Sequence, residues 1–277
     1  MKKKFLILGS NSFSAGYLIK RLINNKNYDV ICVSRSKKYI KELSPFQDQK
    51  INHLIKFYQI DINNNIAKLF NLINHFKPNY VLNYAAQGEV RNSWIYPLDW
   101  YHTNVLSTIK LIEFLKNKVF LKKYISISTP EVYGSSQKKI SENAQYFPST
   151  PYAISKLTSD LHLQALFKKN NFPVIFTRSS NVYGPYQQLY RIIPRSIINI
   201  KLNKKIILHG NGESQRSFIH SSDAADLTLK SCLHGKIGNI YHCSSNENPI
   251  KIKKLVNIIC KKMNVEFEKS VKLINEN

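Results

Sequence analysis

The chain has 277 residues, 43% of them hydrophobic, enough to bury a large core either as one extended α/β domain or as a nucleotide domain with a smaller lobe. Its formal charge is +24, but the lysines run through every segment, so the charge reads as a bias of the whole composition; nucleic acid is set aside as a partner, while small anionic substrates would be attracted. No run approaches the roughly 18 apolar residues of a membrane span, and Cys32, Cys232, Cys243 and Cys260 lack metal-type spacing, so the expectation is a cytoplasmic, reducing location with no membrane partner and no metal.

In chain order, Met1 to Lys4 precede an apolar stretch, as in a secretory signal. Phe5 to Leu8 is too short for that role, however, and Gly9 to Ser14 breaks it. It reads instead as a first buried strand entering a small-residue turn, Gly9-Ser-Asn-Ser-Phe-Ser-Ala-Gly16, and then a helix. That is dinucleotide-binding geometry, with helix amides facing a pyrophosphate. Against glycines spaced three and three apart, Gly9 fits, Ser12 stands for the second, and Ala15 beside Gly16 stands for the third. A serine at position 12 could donate its hydroxyl to a phosphate.

Further strands are expected near Val30 to Val33, Leu54 to Gln59, Tyr80 to Asn83, Tyr124 to Ser128 and Val174 to Thr177, with helices between them. This alternation specifies an α/β fold with a parallel, doubly wound sheet. The longest helical stretches are Asp99 to Lys116 and Pro151 to Lys169. From residue 181 the chain is richer in Gly, Pro and polar loops, which suggests a nucleotide domain over 1–180 and a mainly substrate-binding lobe over 181–277, with the chain crossing back to the sheet. Ile250 to Met263 reads as an amphipathic helix.

Within the second long helix, Tyr152 and Lys156 are four residues apart and share a face, so the ammonium can favour the ionised phenol. Free tyrosine titrates near 10, and bringing it to about 7 needs roughly 4 kcal/mol from that lysine and a cationic nicotinamide ring. The tyrosine then becomes a usable general base.

Several pieces occur in a fixed order: the turn at Gly9, Asp61-Ile62, Asn83-Tyr-Ala-Ala-Gln87, Thr129-Pro-Glu131, Tyr152 with Lys156, Arg178-Ser-Ser-Asn-Val-Tyr-Gly-Pro185, Arg191-Ile-Ile-Pro194 and Arg216 to Asp223. On these the chain resembles the extended short-chain dehydrogenase/reductase family, in its nucleotide-sugar epimerase and dehydratase group, over roughly residues 3 to 262. The resemblance implies a Rossmann-type domain that holds NAD(P), a C-terminal lobe over a nucleotide-diphosphate sugar, and a homodimer built through the two long helices. It assigns Gly9, Ser12, Phe13, Ser14, Asp61, Ile62, Ala85, Ala86, Gln87 and Asn104 to the cofactor together with Tyr152 and Lys156. Glu89, Asn181, Arg191 and Arg216 are assigned to the sugar nucleotide, the last by an arginine fork that matches phosphate oxygens.

The second strand ends in Val33-Ser-Arg-Ser-Lys-Lys38, with no carboxylate for a ribose 2′-hydroxyl; Arg35 with Ser34 and Ser36 would instead take a 2′-phosphate, pointing to NADP, with NAD possible. Glu131 after Thr129 is the pattern of 4,6-dehydratases and related decarboxylases. In that pattern Tyr152 removes the O4 proton, the resulting 4-ketone acidifies C5, and Glu131 takes the C5 proton. Pro130 replaces the aspartate of glucose-type dehydratases, Glu89 replaces a histidine, and Gln87 resembles the mannose type. The expected activity is therefore a 4,6-dehydratase of the GDP-mannose or dTDP-glucose type. A uronate decarboxylase, an epimerase or reductase, or a non-catalytic NADP-binding protein remain as alternatives. The chain also ends earlier than members of this group, which implies a minimal or truncated lobe.

Overall fold

The computed structural model describes residues 2–38, 45, 55–136 and 139–275. They fall into two units, one of residues 1–179 with 222–243 and the other of 180–221 with 244–277.

The first unit is built on β1 (Lys3–Leu8), β2 (Tyr28–Ser34), β3 (Lys56–Gln59), β4 (Tyr80–Asn83), β5 (Lys123–Ser128), β6 (Val174–Ser179) and β11 (Ile240–Cys243). Their order is β11-β6-β5-β4-β1-β2-β3, and every neighbouring pair is parallel. Parallel neighbours need long crossovers, which helices supply. The alternating side chains of β1 sort those helices by face. Leu6 and Leu8 pack with α2 (Ile66–Phe76), α5 (Thr108–Leu115) and α6 (Pro151–Asn170), whereas Phe5 and Ile7 pack with α1 (Phe13–Ile23) and α8 (Ser221–His234). Both faces of the sheet are thus buried, which explains why its strands are continuous apolar runs.

Five expected strands are found within a residue or two of their bounds; of the sixth, Lys56–Gln59 is observed and Leu54 lies outside the described residues. The seventh strand, Ile240–Cys243, was not anticipated. Its Ile-Tyr-His-Cys sequence is too polar for the pattern of a buried strand, and it is defined by pairing with β6. The expected helix from Asp99 to Lys116 is present as α4 (Pro97–Tyr101), a π-helical segment at His102–Ser107, and α5. A π-helical turn inside a helix is rare and often marks a functional site.

In the second unit, β8 (Ile206–His209) runs parallel to β13 (Val271–Ile274), and Ile206, Leu208 and Val271 pack on Val256 and Cys260 of α9 (Ile252–Lys262). The chain from Ile250 to Met263 is not helical throughout. Ile250–Lys251 form β12, which pairs antiparallel with β9 (Gln215–Arg216), because ladder bonds there satisfy backbone that a helix start would leave open. The short pair β7 (Asn181–Tyr183) and β10 (Phe218–His220) and helices α7 (Ile192–Lys201) and α10 (Phe267–Ser270) complete it.

Candidate active site

In open parallel sheets, ligands bind beyond the carboxyl ends of the strands. Gly9, Ser34, Asp61, Ala85 and Thr129 all stand at that edge, at or just past the ends of β1 to β5. Gly9 has φ +70°, and a Cβ there would lie 2.5 Å from the Ala85 nitrogen, so only glycine lets the first turn pass under the loop after β4. Ser12 is the N-cap of α1, its hydroxyl accepting from Ala15 N at 3.3 Å while keeping its own proton to donate. Phe13 is buried and meets Tyr17 edge-on; Ser14 is half-buried.

The turn also holds two buried polar atoms, Ser10 Oγ and Asn11 Oδ1, without a hydrogen-bond partner among the described residues. No acidic residue stands in the first turn of α1. The Ser10 hydroxyl can donate to an anionic group beside a helix N-terminus that carries no acids, and the Asn11 amide oxygen can accept from a donor such as a ribose hydroxyl, so these residues fit a dinucleotide. Asn11, which sequence reasoning passed over, donates through Nδ2 to Ser36 Oγ at 3.0 Å and to Lys37 O at 2.8 Å, and so fixes the loop after β2. Its signal was its place inside the turn. Arg35 and Ser36 are exposed there, and Ser34 is buried with its hydroxyl accepting from Asn11 N.

Asp61 closes a local turn, accepting from Asn63 N at 2.9 Å and Asn64 Nδ2 at 3.0 Å, with Ile62 buried beside it. Asn63 then bonds Thr103 and Ser107 of the π-helical segment. That segment presents Asn104, which is 2% exposed. Its Oδ1 accepts from Gln87 N at 2.9 Å, and its Nδ2 donates to Gln87 O at 3.1 Å and to Ser155 Oγ at 2.9 Å. Ser155 in turn donates to Tyr152 O at 2.8 Å. Expected as a cofactor contact, Asn104 has both amide protons engaged inside the protein and ties the loop after β4 to α6. In that loop Ala85 is half-buried, its N–H donating to Asn83 Oδ1, and Ala86 is exposed.

Thr129 is buried and extended at the end of β5, its hydroxyl accepting from Glu131 N at 3.3 Å. Pro130 opens a 3-10 turn over Pro130–Tyr133, a position where its missing N–H costs nothing, and Glu131 stands exposed on that turn. Helix α6 begins with Thr150 capping Ala153 N at 3.1 Å and Pro151 in the first turn. Tyr152 is therefore half-buried in the first turn, and Lys156, one turn on, is buried. Burial pulls the Lys156 pKa below the usual lysine value, and the charge of Asp160 opposes the fall. A residue whose ammonium is already costly in isolation gains from a nearby phenolate. The groups gathered are a phenol and an ammonium one helix turn apart on α6, and a hydroxyl and a carboxylate just past the end of β5.

Glu89, half-buried, precedes α3 (Val90–Ile95) and makes no side-chain cap bond to it. The other three expected substrate residues lie in the second unit. Asn181 is exposed on β7 and donates through Nδ2 to Ser217 O at 3.1 Å. Arg191 is exposed before α7, 5.3 Å from the Tyr190 ring centre, and Arg216 is exposed on β9, donating to Gln215 O at 2.8 Å. Among the described residues no three His, Cys, Asp or Glu side chains gather as a metal site requires, and no helix is long and apolar enough to cross a membrane.

The model of the NAD dependent epimerase/dehydratase family matches residues 5–244. Over 247 residues, 88% of this chain and 69% of that protein, the sequence is 33% identical to dTDP-D-glucose 4,6-dehydratase of Homo sapiens. It is 28% identical to dTDP-glucose 4,6-dehydratase of Haemophilus influenzae over 277 residues, 96% of this chain and 78% of that protein. A solved structure of dTDP-glucose 4,6-dehydratase from Bacillus anthracis in complex with NAD superposes with a TM-score of 0.86 at 26% identity, covering 99% of this chain and 85% of that one.

Proposed function

The chain belongs to the NAD dependent epimerase/dehydratase family, and from that premise we propose that it is an NAD(P)-dependent nucleotide-diphosphate-sugar 4,6-dehydratase. The observation that carries the reading is Glu131 on the turn that Thr129 caps, at the same sheet edge as the turn at Gly9. Relatives named as dTDP-glucose 4,6-dehydratases support the same reaction class and favour a glucose-type over a mannose-type sugar.

Tyr152, with its proton affinity lowered by Lys156, takes the proton from O4, and Thr129 hydrogen-bonds that oxygen. The chemistry that a bound nicotinamide ring supplies is hydride exchange with the sugar. Once C4 is a ketone, Glu131 removes the acidified C5 proton. Pro130 carries no proton to give, so Glu131 also returns one to the departing C6 hydroxyl, and water leaves. Glu89 selects the sugar, Arg191 binds the sugar nucleotide, Arg216 and Asn181 meet its diphosphate, and Gln87 contacts the cofactor. Gly9, Ser12, Phe13, Ser14, Asp61, Ile62, Ala85 and Ala86 line the cofactor. Arg35, exposed beyond β2 and flanked by Ser36, favours NADP through its 2′-phosphate.

Leu98, Leu106 and Leu161 are 79%, 53% and 47% exposed on α4, the π-helical segment and α6, alongside Trp94 at 64%. So much exposed apolar surface on elements in mutual contact supports a homodimer through these helices. All four cysteines are buried and free, which suits a reducing cytoplasm.

Pro130 also suits a uronate decarboxylase, which needs no acid for a leaving hydroxyl. Mass spectrometry separates the two. Purified protein is incubated with NAD or NADP and a panel of dTDP-glucose, UDP-glucose, GDP-mannose and UDP-glucuronate. Loss of water from a hexose nucleotide is the expected result, loss of carbon dioxide from UDP-glucuronate makes it a decarboxylase, and an unchanged mass throughout sinks both.

A further inference from the structure

Asp160 lies one turn beyond Lys156 on the same face of α6 and has no exposed surface. Its Oδ1 accepts from Ser126 Oγ at 3.2 Å, and its Oδ2 accepts from Ser128 Oγ at 2.5 Å and from Arg178 Nη2 at 2.9 Å. Ser126 and Ser128 share one face of β5, and Ser128 is the register partner of Arg178 on β6. Donors from two adjacent strands therefore converge on one helix carboxylate, directly before Thr129.

Arg178 is 1% exposed, with its guanidinium 4.8 Å and 5.0 Å from the ring centres of Tyr133 and Tyr146. Burial works against its charge, but Asp160 and Tyr146 outweigh that and hold its pKa above the usual arginine value. Its Nε and Nη1 find no acceptor among the described residues. The titratable groups around the carboxylate are Arg178 from β6, Tyr124 from β5 and Lys156 on its own helix, while Tyr133 from the 3-10 turn, Tyr146 from the segment before α6 and His242 from β11 face the Arg178 guanidinium.

A buried ion pair with unmet donors is a poor device for stability alone, since replacing both members by apolar side chains is often neutral or favourable. What the arrangement achieves is geometric and electrostatic. Three bonds to the ends of β5 and β6 fix the depth and rotation of α6 beside Thr129. In proton-transfer sites a displacement of about 1 Å can cost roughly 100-fold in rate. A fixed anion one turn away also offsets the burial of Lys156.

We propose that Asp160 is a positioning residue for Lys156: it locks α6 onto the ends of β5 and β6 and keeps the lysine ammonium protonated beside Tyr152. The proposal rests on reading Tyr152 and Lys156 as the proton-transfer pair.

The test is an NMR titration of protein isotope-labelled at the lysine Cε, with the Lys156 signal assigned by its absence in Lys156→Met. Asp160→Asn leaves Arg178 buried and unpaired and is at risk of unfolding, so the paired variant Asp160→Leu/Arg178→Met is measured beside it. We expect the Lys156 acid dissociation constant to rise about tenfold or more in both, and Asp160→Glu to restore it toward the parent. An unchanged Lys156 titration in the folded paired variant overturns the proposal. Turnover of Tyr152→Phe is recorded separately: full activity there would overturn the site reading and leave the Lys156 titration to decide on Asp160's effect.

Discussion

Asn104 grips Gln87 at both ends of one amide, accepting from its N–H at 2.9 Å and donating to its carbonyl at 3.1 Å. One side chain thereby satisfies both backbone groups of Gln87 in an irregular loop and passes its remaining proton to Ser155 on α6. Replacing it by Ala strands the Gln87 N–H and carbonyl in a partly buried site, at a cost of about 1–3 kcal/mol for each unsatisfied group. Asn104→Ala should lower the Tm by several degrees and reduce kcat more than it raises KM. A Tm equal to that of the parent would contradict this account of the loop.

Glu131→Gln removes the base for C5 while leaving Tyr152 and Lys156 in place. Loss of a positioned general base costs about 100- to 10,000-fold. Water elimination should fall by that amount with sugar-nucleotide affinity within about threefold of the parent. In heavy water the parent should place deuterium at C5 of the product, read by mass spectrometry. A product without that deuterium would remove Glu131 from the reaction.

Arg35 is exposed at the loop that Asn11 secures. Arg35→Ala should weaken NADP about tenfold relative to NAD, the size of one lost charge-assisted contact of roughly 1.5 kcal/mol. Fluorescence titration with both reduced cofactors gives the ratio. Equal affinities before and after the substitution would mean that the 2′-phosphate is not read by this arginine.

Lys156 has a folded-state pKa below its ordinary value of 10.5 because burial penalises the ammonium. Between the two values the unfolded chain binds more protons, so stability gains with rising pH across that window. Below the folded-state value the penalty is present in full; above the ordinary value it is gone. Lys156→Met should therefore raise the Tm near neutrality, with the gain shrinking as the pH approaches 10.5. Urea unfolding of both proteins at a series of pH values checks the sign, and a gain that grows with pH would refute it.

Leu98 and Leu106 are more than half exposed on consecutive helical elements. Leu98→Asp with Leu106→Asp should convert a dimer to a monomer in light scattering, because two carboxylates cannot be desolvated there without partners. An unaltered mass would mean that these helices are not the contact.

The continuous apolar strands and the helical periods between them were legible because burial of both sheet faces leaves a direct mark on composition. Gly9 was legible for a similar reason, since a positive φ under a neighbouring loop admits no other residue. The Tyr152 and Lys156 spacing was legible because a helix turn is a local fact. Asp160 was not, nor were the partners of Asn11 and Arg178: each residue is ordinary in its own segment, and what it bonds lies on another element.

By itself, then, the sequence determined the fold class, the strand edge where ligands are met and the residue types able to move protons, since these follow from local periodicity and backbone sterics. Tertiary structure alone decided that Ile240–Cys243 is a seventh strand, that Asn104 faces Gln87, and that Asp160 meets Ser126, Ser128 and Arg178. A strand at the end of the sheet is defined by its partner, and a buried polar group by the donor that satisfies it. Both partners lie far away in the chain, and only the packed sheet and helices bring them within hydrogen-bonding distance.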